Sequence, residues 1–112
     1  MTPQEMARQF RDAMGQKPGN LEMQFKLIDE EFSEFSDAYW HEPVENQLKE
    51  LADLVYVAFQ FAEAAAWDLD VALERVHKSN MSKMVNGKAL RREDGKVLKG
   101  PNYQKPNLED LV

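Results

Sequence analysis

The spacing of apolar residues predicts a short first helix. Thr2-Pro3-Gln4-Glu5 has the form of a capping box with proline at the first helical position, so we expect a helix from Pro3 to Met14 that stops at Gly15. Its larger apolar residues recur every four positions, at Met6, Phe10 and Met14. This spacing gives the helix one narrow apolar stripe.

A second helix follows the turn GQKPGN, with Asn20 as its expected N-cap. Apolar residues alternate at spacings of four and three along it, at Leu21, Phe25, Ile28, Phe32, Phe35 and Tyr39. That periodicity is typical of a helix with one buried face, so these residues predict a packing seam.

Two further helices and a polar tail complete the pattern. Pro43 opens a third helix to about Trp67, which from residue 51 to 66 is apolar on nearly every side and therefore belongs in the centre of a bundle. Asp68 or Asp70 is the expected cap of a fourth helix that ends at Gly87. Its inward-facing residues are predicted to be Leu69, Leu73, Val76 and Met84.

Residues 88–112 differ from the helical part by their frequent turn dipeptides and their basic charge. Asp94-Gly95 lies between two short basic segments, which predicts a small hairpin or a loop ordered only against the body.

The pattern as a whole predicts an all-α protein, a four-helix bundle with a basic loop or hairpin as its C-terminal tail. We expect one domain over residues 1–112, with a helical body at about 3–87 and the tail at 88–112. Because the third helix is apolar around most of its circumference, we expect homo-oligomerisation to complete the bundle, as a homodimer or a tetramer built from two dimers.

Composition narrows the class of protein. The chain has 112 residues, of which 43% are hydrophobic and 30% charged, as in folded globular proteins. No apolar stretch is long enough for a membrane span and no signal sequence is evident, so we expect a cytoplasmic protein without a membrane partner. The net charge of −6 argues against a nucleic acid polymer as partner, and the absence of cysteine excludes thiolate chemistry.

Acidic residues concentrate in the second and third helices. On the second helix, Glu31 and Glu34 fall beside the predicted seam, whereas Glu30 points nearly opposite to it. On the third helix, Glu50 lies on one line with apolar residues and Asp53 borders that line. The apolar members of the line are Leu54, Val57 and Phe61.

Two interpretations of these acids are open. They could be surface acids that pair with lysine or arginine across the bundle. Alternatively, two pairs of carboxylates on adjacent antiparallel helices could converge on one or two hard divalent cations such as Mg²⁺. The second interpretation gains weight because an unpaired buried carboxylate is costly and Lys49 is the sole base within residues 29–53.

The acidic segments resemble known motifs. Glu30-Glu31-Phe32-Ser33-Glu34, followed after 15 residues by Glu50-Leu51-Ala52-Asp53, resembles the EExxE and ExxD motifs of the MazG-like nucleoside triphosphate pyrophosphohydrolases. These are relatives of phosphoribosyl-ATP pyrophosphohydrolase in the all-α NTP pyrophosphatase superfamily. The segments 77–83, 94–96 and 99–100 resemble later parts of small single-domain members, many of them phage or mobile-element proteins.

The resemblance implies a metal centre and a reaction. Glu31, Glu34, Glu50 and Asp53 would be the catalytic ligands of Mg²⁺, or of Mn²⁺ in its place, with Glu30 in the outer shell. The reaction implied is cleavage between the α and β phosphates of a nucleoside triphosphate, which releases a monophosphate and pyrophosphate.

Candidate substrate-binding residues lie in the last third of the chain. Asn80 shares an apolar line on the fourth helix, where an amide needs a partner such as a base edge, a ribose hydroxyl or a neighbouring backbone group. The other candidates are Lys78, Lys83, Lys96 and Lys99 for phosphates and Tyr103 for stacking on a base. Solubilising lysines and a core or interface tyrosine are the plain alternatives.

Three rival interpretations remain. Glu74 and His77 form an ExxH motif of the kind found in di-iron bundles, but such a site needs two copies and the chain has one. The chain could instead be a non-catalytic acidic helical interaction module. A third possibility is a phosphoribosyl-ATP pyrophosphohydrolase.

Overall fold

A computed structural model describes all 112 residues. The chain forms two compact units, residues 1–69 and residues 70–112. The helices are α1 (Pro3–Ala13), α2 (Leu21–His41), α3 (Val44–Ala65) and α4 (Leu69–Met81). Short strands β1 (Leu90–Arg91) and β2 (Val97–Leu98) and a 3₁₀ turn (Glu109–Leu111) follow. Four helices dominate the chain, as predicted for an all-α protein.

The first unit is built around α3, on which both α1 and α2 pack. The capping box of α1 is confirmed, because the Thr2 hydroxyl accepts from the Glu5 amide and the Glu5 carboxylate accepts from the Thr2 amide. Asn20 is the N-cap residue of α2 as predicted, but it does not cap the helix with its side chain. Asn20 has a left-handed backbone and its side chain makes no capping hydrogen bond.

The face of α1 that is buried is polar. The buried residues of α1 are Gln4, Ala7 and Arg11, whereas the stripe of Met6, Phe10 and Met14 stays largely exposed. Small Ala7 permits close approach, and its carbonyl accepts from the Gln60 amide at 3.3 Å. α1 is therefore attached by a hydrogen-bonded line as well as by apolar contact.

The buried face of α2 coincides with the predicted seam only at Ile28 and Phe35. Phe25, Phe32 and Tyr39 are exposed in the chain, with Phe25 at 64%. The most buried line of α2 is one step round the helix, at Gln24, Ile28, Glu31, Phe35 and Ala38. Because this line passes through Glu31, it brings that carboxylate inward.

The acidic line of α3 is confirmed. Glu50 is buried and the three apolar residues that continue its line, Leu54, Val57 and Phe61, are all partly buried. A two-residue connection, residues 42–43, returns the chain from α2 to α3, so this line runs antiparallel to α2. No helix of the chain is at once long and apolar enough to span a bilayer.

In the second unit, α4 ends six residues before the predicted stop at Gly87. Asn86 and Gly87 both have left-handed backbones and form the tip of a tight turn, in which Val85 and Lys88 pair. Met84 thus lies beyond the helix, and Leu73, predicted to face inward, is half exposed.

The tail contains a hairpin and is joined to α4 by polar contacts. β1 and β2 pair antiparallel, with Leu90 opposite Leu98. The Ser79 hydroxyl donates to the Gln104 carbonyl at 2.7 Å. Gly100 approaches the segment after α4 so closely that a Cβ there would lie 2.6 Å from a methyl of Val85. Glycine is required at this position for steric reasons.

Candidate metal centre

Three carboxylates from α2 and α3 converge in the first unit. Glu31 of α2 and Glu50 and Asp53 of α3 each place a carboxylate oxygen within 4.8 Å of the other two. The short connection at 42–43 sets two helices side by side, and the helical period then aligns these residues across the contact. This is the arrangement expected of a cation site with oxygen ligands.

Burial makes this acidic centre costly without a cation. Glu50 is only 9% exposed, and its Oε2 atom has no hydrogen-bond partner. The Oε2 atom of Glu31 is likewise buried and unpartnered. Leaving a buried polar atom unpaired costs about 1–3 kcal/mol, and more for a charged group. A hard divalent cation would satisfy both oxygens, so the residues present fit a Mg²⁺ or Mn²⁺ ion.

The pKa of Glu31 is raised by its burial and by the acids around it. Burial is the main cause that raises the pKa of the Glu31 carboxyl, to about 7, and the charge of Glu34 is the second. A hydrogen bond with Glu34 and the charges of Asp53 and Glu50 add to it. Near neutral pH, Glu31 therefore holds a proton part of the time, and a cation would take the place of that proton.

The other two acids predicted from the sequence lie further out. Glu34 is exposed one turn along α2 and adjoins the centre through its hydrogen bond with Glu31. Glu30 is exposed as well. Their roles as inner and outer ligands remain predictions.

Lys49 is part of this centre and was not among the candidate residues. Its Nζ atom lies 2.7 Å from Oδ2 of Asp53 and 3.5 Å from Oε1 of Glu50. These two carboxylates raise the pKa of Lys49, the hydrogen bond to Asp53 most of all. The signal in the sequence is the i,i+4 spacing from Lys49 to Asp53.

The substrate-binding candidates on and just after α4 belong to the second unit. Asn80 is exposed near the end of the helix. Lys78 pairs with Glu74 at 3.4 Å. Lys83 follows the helix, and its carbonyl accepts from the Gly100 amide at 3.2 Å. Asn80 and Lys78 thus present polar groups to solvent.

The tail candidates lie in and after the hairpin. Lys96 is exposed, and its backbone amide donates to Asp94 at 3.0 Å. The Lys99 ammonium lies 4.8 Å from the centre of the Tyr103 ring, a cation–π contact. A stacking role for Tyr103 would therefore have to accommodate Lys99.

The second unit also has a polar cleft of about 320 Å³. Among the residues that line it, only Lys78 was a candidate from the sequence. Its walls include Lys105 and Arg75, and Arg75 binds both carboxylate oxygens of Asp110. The cleft is formed where the end of the tail meets α4, a contact that helical periodicity does not indicate.

The helices and the acidic centre together define the class of protein. Carboxylates that converge from two adjacent antiparallel helices of an all-α chain fit the metal centre that the sequence resemblance implies. Residues 4–80 match the model of the phosphoribosyl-ATP pyrophosphohydrolase family, and the chain belongs to that family. A comparison with curated proteins gave no match. The family match supports the superfamily inferred from the sequence, while the MazG-like and phage assignments remain predictions.

Proposed function

We propose that this protein is a Mg²⁺-dependent nucleoside triphosphate pyrophosphohydrolase, which converts a (d)NTP to the monophosphate and pyrophosphate. The observation that carries the proposal is the pair of buried, unpartnered oxygens of Glu31 and Glu50 beside Asp53. A purely structural role would not favour three carboxylates so close together, because their mutual repulsion destabilises the fold.

The residues of the centre bind the cation and accept a proton in this mechanism. A Mg²⁺ ion held there would neutralise phosphate oxygens and lower the pKa of a water bound to it. Glu31, Glu50 and Asp53 hold the cation, and Glu34, being exposed beside them, completes the ligand set. A carboxylate of the centre accepts the proton of the attacking water. The oxygen of the water would bond to one phosphorus while the α–β anhydride bond breaks. No side chain would therefore become covalently modified.

The substrate contacts in this proposal are those that the sequence indicates. Asn80 has an exposed amide for a base edge or a ribose hydroxyl. The phosphates would be bound by Lys78, Lys83, Lys96 and Lys99. Tyr103 would stack on the base with Lys99 at its ring face.

A second candidate is hydrolysis of phosphoribosyl-ATP. The family match favours it, and the bond to be cleaved is again the one between the α and β phosphates. The acidic centre serves both reactions equally, so the substrate must be determined by the groups that contact the base and the ribose.

The deciding experiment is a pyrophosphate-release assay with Mg²⁺. Canonical NTPs, dNTPs and phosphoribosyl-ATP are compared, with Glu50→Gln as the inactive control. Pyrophosphate from a (d)NTP supports the first candidate, and pyrophosphate from phosphoribosyl-ATP alone supports the second. Release of orthophosphate with a diphosphate left behind would place the cut at another bond, and no release from any substrate would favour a non-catalytic acidic module.

A further inference from the structure

Lys49 gives the two sides of the acidic centre unequal charge. Its ammonium contacts Oδ2 of Asp53 and Oε1 of Glu50, so the outer side of the centre is partly neutralised. The buried Oε2 atoms of Glu50 and Glu31 have no partner. One oxygen of Glu50 therefore faces the Lys49 ammonium, and the other is buried without a hydrogen-bond partner.

The position of Lys49 sets it apart from an ordinary surface ion pair. The Lys49 side chain is 62% exposed, whereas that of Glu50 is only 12% exposed and that of Asp53 is 36% exposed. Its flexible stem can therefore leave the centre at little cost while the carboxylates stay in place. Lys26, which pairs with Glu22 at 3.5 Å on the outside of α2, contacts none of the three carboxylates and serves as a comparison.

We propose that Lys49 is an internal counter-ion of the metal centre, whose ammonium competes with the divalent cation for Asp53 and Glu50 and so lowers the affinity of the centre. The inference rests on the proposed function, because it takes the acidic centre to be a Mg²⁺ site. Without the cation, Lys49 relieves repulsion among the acids. On binding of the cation, Asp53 would release the Lys49 ammonium and bind the cation instead. The ammonium would stay nearby and repel the cation.

The test is Mg²⁺ binding to the full chain, measured by calorimetry at low and at high ionic strength. Lys49→Met removes the ammonium and keeps the apolar stem, and Lys49→Arg keeps the charge. Because the Lys49 side chain is 62% exposed, the dielectric constant of bulk water applies. For an ammonium about 5 Å from a divalent cation, Coulomb's law then predicts that Lys49→Met binds Mg²⁺ on the order of tenfold more tightly. Screening by salt should narrow the difference. Lys49→Arg and the control Lys26→Met should stay within about twofold of the parent.

A second readout is thermal unfolding. Metal-free Lys49→Met should melt below the parent, and its gain in melting temperature on adding Mg²⁺ should be larger. Equal or weaker Mg²⁺ binding by Lys49→Met, beside normal binding by the parent, would overturn the inference and leave the proposed function standing. Absence of Mg²⁺ binding in every variant would overturn both.

Discussion

A carboxylate as buried as that of Glu50 must be protonated, paired or bound to a cation. In this centre one oxygen of Glu50 is near Lys49 and the other has no partner. Glu31 is in a similar condition on the facing helix. A neutral side chain of the same shape at either position would relieve repulsion and at the same time remove a cation ligand.

We expect four amide substitutions to abolish pyrophosphate release and to leave the metal-free protein as stable as the parent or more stable. These are Glu31→Gln, Glu34→Gln, Glu50→Gln and Asp53→Asn. Glu30→Gln should have a milder effect on turnover, and Glu45→Gln, at an exposed site in the first turn of α3, is the matched control. Equal losses of activity for Glu30→Gln and the other four would contradict the assignment of Glu30 to the outer shell.

The raised pKa of Glu31 predicts a pH dependence of stability. Because the folded protein holds this proton up to about pH 7 and the unfolded chain releases it near pH 4.5, the free energy of unfolding should fall as the pH rises between these values. The loss from this group is at most about 3 kcal/mol. Urea unfolding in the presence of a chelator at pH 5 and pH 8 measures it.

Glu31→Gln is the control for that experiment, since it removes the titrating group. Its stability should depend less on pH over the same interval, and saturating Mg²⁺ should weaken the dependence in the parent. Identical pH profiles for the parent and Glu31→Gln in the chelator would contradict the prediction.

Some site residues could be predicted from the sequence and others could not, for physical reasons. The position of Glu50 could be predicted because the line on α3 that contains it is apolar, and a single helix determines that line. How far Glu31 turns inward could not be predicted, because that depends on which of two apolar faces of α2 packs on α3. Lys49 was missed because a lysine four residues before an aspartate is common on exposed helices.

At the scale of elements, one glutamine fastens α1 to the end of α3. The Gln4 amide donates to Oε2 of Glu63 at 2.9 Å and to the Trp67 carbonyl at 3.1 Å. Its carbonyl oxygen accepts from the Leu69 amide at 2.8 Å. Gln4 is buried and its partners are partly exposed, so these bonds are partly shielded from water.

Gln4→Met should destabilise the protein by about 1–3 kcal/mol, because it keeps the side-chain volume but removes three hydrogen bonds to partly buried groups. Gln9→Met, at an exposed position of the same helix, should have little effect. Thermal or urea unfolding of both variants checks this prediction. Equal stability of the two variants would show that the Gln4 hydrogen bonds contribute nothing net.

The elements themselves were largely predictable, while the choice of packed faces was not. Helical period and caps give the length of α1 closely, because both are local properties. The period did not reveal that Gln4, Ala7 and Arg11 face α3, since that face is defined by small size and hydrogen bonding. Likewise, two left-handed residues at 86 and 87 suit a tight turn as well as a helix end.

At the scale of the whole molecule, the chain exposes two extended apolar faces in its first unit. Phe25, Phe32 and Tyr39 form one on α2. The other, along α3, consists of Val44, Leu48, Leu51 and Val55. Several large apolar side chains exposed along one helix face are typical of a protein interface.

We therefore expect a homodimer at least, with the α2 face inside the interface, and a tetramer if the α3 face is also used. Light scattering on the parent should give a multiple of the 13.0 kDa chain mass. Phe32→Asp should shift the protein to a smaller species, because burying a carboxylate among apolar side chains costs several kcal/mol. Asp37→Asn, an exposed change on the same helix, should leave the mass unchanged. A monomeric parent would contradict the prediction.

The tight connection at residues 42–43 has a consequence for how this chain can change in evolution. Since the carboxylates face one another across a helical hairpin, the number of residues between Glu34 and Glu50 determines whether they meet. One residue added inside either helix would rotate the acids beyond it by about 100° and displace them by about 1.5 Å. Length differences between the two acidic segments should therefore be confined to the loop or come close to whole helical turns, whatever the identity of the intervening side chains.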